Sequence, residues 1–504
     1  MVNNTKNRFA GDSNTGSFPL RWLLLGICGA GMRSLCRTLL ARGDFVVGAD
    51  YDAAALQGCR DQHVESIRQG QLQLLHQQTP TDSCGDQLKP SHFNRVVHSL
   101  AVNLSSAYSG DAQAAGVPVL SLPEAVNCCF ERKRQICVAG THGKTTTSGM
   151  LWWILQHQAA TECFIGGELK TSDWSAGSEL SITAERAVIE SCEFRRSFLN
   201  FRPAVSVLTG IEADHFDCYE NEAELTAAYR EFVEKTAADG TLIYNADCRL
   251  VSRLAESRNC RKTGFSTGFT GLAAWSIRNA GLNSTDNCTK IHKHHWSFQM
   301  RHQDGRVIDV SLPVPGLHNA RNAAAALLAA ECEGIALETA AASLGTFPGV
   351  CRRFEYRGSV RGAVMLDDYA HHPTAVRETL RTVRVLYPDR RITVVFEPHQ
   401  VSRLSRLRSE FAAALLEANR VLVLPTLRAR EEYSVERARH SAAELAQNIS
   451  DSGGCSRVLN SLDQVSATLD DELTDEDVVI TMGAGRTNTI HDQINRRIQR
   501  DFAA

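Results

Sequence analysis

The chain has 504 residues, 43% hydrophobic and 22% charged, which suits about three compact domains of soluble composition. A net charge of −3 excludes a broad basic surface for nucleic acid. No apolar run is long enough to span a bilayer, and the 16 cysteines show no CxxC pairing, so they read as buried thiols of a cytoplasmic protein rather than as disulfides.

Residues 1–19 are polar and rich in Asn, Gly and Ser, which predicts a disordered tail. Arg21 to Leu25 then reads as a buried strand. The glycine loop Gly26-Ile27-Cys28-Gly29-Ala30-Gly31 follows, then Met32 to Arg42 in helical pattern. A second strand, Phe45 to Ala49, ends at Asp50, an acid about 20 residues past the glycines. This is the opening of a Rossmann-like unit. Cys28 breaks the strict GxGxxG pattern, so the motif points to a nucleotide without choosing NAD. Arg95 to His98 and Val117 to Leu120 continue the strands. The domain is expected to cover 20–134, ending in the charged stretch Glu131-Arg132-Lys133-Arg134.

The central segment, 135–345, opens on Ile136 to Ala139, then Gly140-Thr141-His142-Gly143-Lys144-Thr145-Thr146-Thr147, then a helix through Met150 to Leu155. A strand, a glycine loop and a helix in that order present backbone N–H groups to phosphate oxygens. Lys144 can reach the outer phosphates and the Thr145 hydroxyl suits Mg²⁺. The loop is shorter than a Walker A motif, because Val138 stands where the first glycine would be. Ala187 to Ile189 leads into Glu190, and Ala204 to Leu208 leads toward Glu212-Ala213-Asp214-His215. Ligands gather at strand C-termini in open parallel sheets, so these groups should converge on the loop. His215 reads equally as a ligand or as a buried hydrogen-bonding histidine. Pro313 to Asn319 enters an Ala-rich helix, Ala320 to Ala330.

The last segment, 346–504, is a third α/β pattern. Its strands Val364 to Leu366, Thr393 to Phe396, Val421 to Leu424 and Val478 to Ile480 run into Asp367-Asp368-Tyr369-Ala370-His371-His372, Glu397-Pro398-His399 and Gly483-Ala484-Gly485. The His371-His372 pair lacks a third ligand at metal spacing, so a structural or substrate contact is favoured over zinc.

Taken together, these motifs closely resemble the Mur ligase family of peptidoglycan synthesis, from about Trp22 to Ile490. The resemblance rests on GICGAGM, GTHGKTTT, ESCEFRRSFL, EADHFDCY, PGLHNARNAAAA, FPGVCRRFEYRG, DDYAHHPTAV, FEPHQVSRL and GAG, in family order. It implies three α/β domains: an N-terminal Rossmann-like domain for a UDP-sugar, a central P-loop ATPase-like parallel sheet, and a C-terminal Rossmann-like domain. The implied reaction is ATP-dependent joining of L-alanine to UDP-N-acetylmuramate through an acyl phosphate. The implied cofactors are ATP and Mg²⁺, with Mn²⁺ as an alternative, and the implied state is a monomer or weak homodimer without nucleic-acid or membrane partners.

Roles implied by the resemblance follow motif by motif. Gly26, Gly29, Ala30, Gly31, Asp50 and Ser99 would hold the UDP-sugar. Gly140, Thr141, His142, Gly143, Lys144, Thr145 and Thr146 would cradle ATP phosphates. His318, Asn319 and Asn322 would meet adenine and ribose, and Arg353 and Asp368 would reach ATP from the C-terminal domain. Lys144, Glu190 and His215 form the catalytic set, with Thr145, Glu190 and His215 on the metal. His372, His399 and Arg403 would face the amino acid. Cys28, Gln400-Val401 and Ser191-Cys192-Glu193-Phe194 depart from the common family pattern. Two alternatives stay open: a ligase that attaches a recycled murein tripeptide, and a nucleotide-sensing relative without turnover.

Overall fold

A computed structural model describes residues 19–76, 86–171, 183–268, 271, 273–282, 295–429 and 431–494. The expected N-terminal tail lies outside them, apart from residue 19. The chain parts into two compact units, the first running to Ala125 and the second starting at Val126. The division falls within the helix Leu122–Phe130.

Five parallel strands build the first unit: β1 (Arg21–Leu25), β2 (Phe45–Asp50), β3 (Leu72–His76), β4 (Arg95–His98) and β5 (Val119–Ser121), in the order β3-β2-β1-β4-β5. The order reverses at β1, so the crevice beyond its C-terminus is where such sheets take ligands. Leu23 and Leu24 are fully buried because β1 is covered on both faces, as its unbroken apolar run predicts. Gly26 leaves β1 at φ +85°, with the helix Ala30–Ala41 behind it.

In the second unit a nine-stranded sheet comes first. Its strands are β6 (Arg134–Ala139), β7 (Thr161–Phe164), β8 (Arg186–Glu190), β9 (Val205–Leu208), β10 (Thr241–Asn245), β11 (Arg261–Ser266), β12 (Trp275–Leu282), β13 (Trp296–His302) and β14 (Val307–Leu312). The order is β14-β13-β12-β11-β10-β9-β6-β8-β7, parallel from β7 to β12 and antiparallel at the β12-β13-β14 edge. Strand β6 lies between β8 and β9, so the loop after it and the ends of both neighbours open to one place. The helix Leu317–Cys332 is buried nearly all round, Ala323 to Ala330 entirely. Its small side chains let it press close to the helix Lys144–Gln156 in one apolar cluster.

A six-stranded sheet completes the unit: β15 (Glu355–Val360), β16 (Ala363–Asp368), β17 (Arg391–Glu397), β18 (Arg420–Val423), β19 (Ser456–Val458) and β20 (Asp477–Gly483), ordered β15-β16-β20-β17-β18-β19. Only β15 is antiparallel. Alternate residues fill two cores, Val364, Leu366 and Val394 on one face and Met365, Val395 and Val479 on the other. Strands β3, β7, β10 to β15 and β19 are additions to the elements read from the sequence. Among the described residues no helix is long and apolar enough to cross a membrane.

Candidate active site

The loop after β6 is built around two glycines. Gly140 (φ +135°) has no room for a side chain, since a Cβ would sit 2.1 Å from Thr209 Oγ1. Gly143 (φ +80°) starts the helix Lys144–Gln156, and a Cβ there would fall 2.3 Å from Asn322 Oδ1. Thr141 donates its N–H to Gly210 O at 2.8 Å and its hydroxyl to Glu212 O at 3.1 Å, tying the loop to the segment after β9. Thr146 is buried in the first turn.

Lys144 Nζ donates to Gly140 O at 2.5 Å and Thr141 O at 3.3 Å, so it lies over the loop. Its counter-charge is Glu193, with oxygens at 2.9 and 3.2 Å and a side chain only 1% exposed. Burial disfavours the lysine charge, but Glu193, Cys192 and Glu190 outweigh it and hold the ammonium above the ordinary lysine value. Thr145 Oγ1 donates to Glu190 Oε1 at 2.7 Å, and Gly166 N–H fixes the other oxygen at 2.7 Å. His215 stands at φ +51°, a strained backbone for a non-glycine residue. It points Nε2 at Glu193 Oε1, 3.7 Å away, and its Nδ1 is buried without a hydrogen-bond partner among the described residues.

The C-terminal segment reaches this loop. Arg353 Nη2 lies 3.4 Å from Thr145 Oγ1, and its guanidinium packs 5.1 Å from the Tyr369 ring. Asp368 is buried and accepts N–H bonds from Phe354 at 2.9 Å and Ala370 at 2.8 Å, so it shapes the backbone that carries Arg353. Burial pushes its carboxyl above the ordinary value against the pull of Arg353. His142 Nε2 and His372 Nδ1 meet Glu212 Oε2 at 3.3 and 3.6 Å, and Thr374 Oγ1 donates to the same oxygen at 2.6 Å. Glu212 is pulled down to about 2: burial opposes its charge, but His142, Thr374 and His372 prevail. Two histidines and a carboxylate thus clasp the phosphate loop to the C-terminal segment, a grouping that spacing along the chain did not reveal.

Beside the clasp, Asp214 Oδ1 takes Arg403 Nε at 2.8 Å, Arg403 Nη2 at 2.6 Å and the His215 N–H at 2.7 Å. Arg403 Nη1 meets His399 Nδ1 at 2.7 Å, and His371 packs on His399 with ring centroids 5.4 Å apart. Arg403 is 2% exposed. Its fork is therefore engaged by Asp214 and His399, and the arginine orients a network that includes His399 and His215. Burial would raise Asp214, but Arg403 first, then the neighbouring histidines, hold it well below the carboxylate range.

On the other side of the loop His318 is half-buried and brought down to about 4, by desolvation first and then by Arg321 and Arg353. Asn319 donates to Pro315 O at 2.7 Å and accepts from Asn322 at 3.2 Å, which seats Asn322 against Gly143. Glu193, Glu212 and Asp214 join the candidate site at positions that the motif reading left without a role. Their signal was present, as acids just beyond β8 and β9.

In the first unit the glycine loop is braced by Asp50, whose Oδ2 accepts the Cys28 N–H at 2.9 Å. Gly26 approaches Ser99 so closely that a Cβ would stand 2.9 Å from the serine Cβ. Gly29, Ala30 and Gly31 open the following helix, with Gly29 N–H bonded to Gly26 O at 3.2 Å.

Comparison with known proteins agrees with this architecture. Residues 138–330 match the Mur ligase middle domain, and 352–485 match the Mur ligase glutamate ligase domain. A UDP-N-acetylmuramate–L-alanine ligase of Salinispora arenicola is 32% identical, covering 94% of this chain and 87% of the relative. The crystal structure of the UDP-N-acetylmuramate-alanine ligase of Thermotoga maritima superposes with a TM-score of 0.73 at 20% identity, over 96% of this chain and all of that one. A murein peptide ligase of Psychrobacter arcticus shares the fold with a TM-score of 0.66 at 24% identity, over 95% and 98% of the two chains. The domain matches and the near full-length identity show that the chain belongs to the Mur ligase family.

Proposed function

We propose that this protein joins L-alanine to UDP-N-acetylmuramate, with ATP converted to ADP and phosphate, in cytoplasmic synthesis of peptidoglycan precursors. The observation that carries the reading is the meeting of Lys144, Thr145, Glu190 and Arg353 at one phosphate loop. Near full-length identity to an alanine-adding relative supports the choice of substrates.

In this reading the donor carboxylate attacks the γ-phosphorus of ATP, ADP leaves, and the resulting acyl phosphate is attacked by the alanine amine, which expels phosphate. Phosphorylation is needed because a free carboxylate is a poor electrophile. Lys144 exchanges its loop carbonyl partners for β- and γ-phosphate oxygens, with the helix N-terminus behind it. Arg353 adds a second cation from the C-terminal segment. His318, Asn319 and Asn322 line the adenosine side, and Asp368 holds the Arg353 backbone. His372, His399 and Arg403 shape the amino-acid side, Arg403 through Asp214 and His399. The glycine loop with Asp50 and Ser99 takes the UDP moiety.

The donor set suits Mg²⁺ or Mn²⁺. The Thr145 hydroxyl and Glu190 carboxylate lie 2.7 Å apart, and the buried His215 Nδ1 has no hydrogen-bond partner among the described residues. Thr145, Glu190 and His215 would hold the ion, which would supply neutralisation of phosphate charge. Glu193 sets the position of Lys144 next to it.

Phosphate release measured with UDP-N-acetylmuramate, ATP and each amino acid in turn tests the proposal. Stimulation by L-alanine is expected. Stimulation by L-alanyl-γ-D-glutamyl-diaminopimelate in place of alanine would assign the chain to murein recycling, and no stimulation would refute ligase activity.

A further inference from the structure

We propose that Cys28 and Cys59 are a redox-sensitive dithiol, and that their disulfide disables the glycine loop of the first unit. Cys28 occupies the second glycine position of the loop, where a side chain must go somewhere. Its Sγ lies 3.9 Å from Cys59 Sγ on the neighbouring helix Ala53–Gln62. Cys59 is buried, whereas Cys28 is half-buried and so within reach of a small solute. A disulfide needs sulfurs about 2.05 Å apart, so each side has only a short distance to close.

A cation stands beside the pair. Arg33 Nη1 donates to Cys28 O at 2.9 Å. Contact with Cys28 and the charge of Arg33 bring the Cys59 thiol down to about 7 against the effect of burial, while the same contact, burial and Asp50 push the Cys28 thiol up, so Cys59 is the thiolate of the pair.

The oxidant is a peroxide. One thiolate of the pair attacks a peroxide oxygen, the O–O bond breaks, and a sulfenic acid and water form. The second thiol attacks the sulfenyl sulfur, the S–S bond forms, and a second water leaves. The two sulfurs lose two electrons and two protons in all, and the peroxide is reduced to two waters.

The consequence follows from how little slack the loop has. Gly26 and Ile27 N–H groups are bonded to Ala49 O at 2.8 and 3.2 Å, and Cys28 N–H to Asp50 at 2.9 Å. Pulling Cys28 toward the helix strains those bonds and re-aims the N–H groups at the head of the following helix. This second step rests on the loop binding the UDP-sugar, as proposed above; disulfide formation does not.

The test compares reduced and hydrogen-peroxide-treated full-length protein. Non-reducing peptide mapping by mass spectrometry reads the linkage, and calorimetry reads the affinity for UDP-N-acetylmuramate. A Cys28–Cys59 linked peptide is expected, with affinity lowered by about tenfold or more and both changes reversed by dithiothreitol. The Cys59→Ser variant should bind as the reduced wild type does and yield no linked peptide. Absence of that peptide while other cysteines oxidise would overturn the proposal, as would a linked protein that binds unchanged. Reduced protein that fails to bind at all would refute the UDP-sugar reading of the loop, and the linked peptide would still establish the dithiol.

Discussion

Replacing Lys144 by alanine should damage stability and catalysis separately, and a second substitution should part the two. Lys144 Nζ sits 2.9 and 3.2 Å from the oxygens of Glu193, whose side chain is 1% exposed. Removing the cation leaves that carboxylate buried and without its counter-charge, a loss of about 3–5 kcal/mol. Lys144→Met with Glu193→Gln removes both charges while keeping volume, and should recover most of that loss, because an uncharged pair has no ion to desolvate. Catalysis behaves differently. In the proposed reaction the ammonium is the loop's own cation for phosphoryl transfer, and preorganised charge of this kind is worth about 10²–10³-fold in turnover. The double variant should therefore stay inactive. Urea unfolding at neutral pH measures the first effect and ATP-dependent phosphate release the second. A Lys144→Ala protein as stable as wild type would refute the buried pair. Recovery of turnover in the double variant would remove Lys144 from the phosphate path.

Gly143→Ala should raise the KM for ATP by about tenfold or more, since φ is +80° and the new methyl would fall 2.3 Å from Asn322 Oδ1; unchanged ATP kinetics would mean that the loop does not hold this shape in use. Arg403→Ala should raise the KM for L-alanine far more than that for ATP, with Arg403→Lys failing to restore it because an ammonium cannot reproduce the fork on Asp214 and His399. An unmoved alanine KM would place the amino acid elsewhere. His318 has a folded pKa of about 4, below the ordinary ~6.5, so the unfolded chain takes up a proton there that the folded protein refuses. Its contribution is whole above pH ~6.5 and decays as the pH falls toward about 4. His318→Gln should flatten the dependence of urea stability between pH 7 and 5, and identical slopes in both proteins would refute the assignment.

What could be read before the structure was whatever lies contiguous in the chain. The phosphate loop spans consecutive residues between an apolar strand and a helix, so its chemistry was plain from Gly140 to Thr147. Glu190 was legible for the same reason, as the acid ending β8. The groups that orient them were not. Lys144 and Glu193 are 49 residues apart, Asp214 and Arg403 189, and His372 and Ala213 159. No local pattern encodes such pairs, because topology alone brings them together. Strand β3 escaped notice because only Leu72 of Leu72–His76 is buried, which leaves no alternation. Strand β13 did carry a signal, with Trp296, Phe298 and Met300 buried in alternation, but polar neighbours masked it.

The central claim is an acyl phosphate made from the donor carboxylate. UDP-N-acetylmuramate labelled with ¹⁸O in its lactyl carboxylate tests it most directly, with the released phosphate read by mass spectrometry after reaction with ATP and L-alanine. Labelled oxygen is expected to pass to phosphate, one atom for each amide formed. Phosphate free of label, with amide still produced, would contradict it.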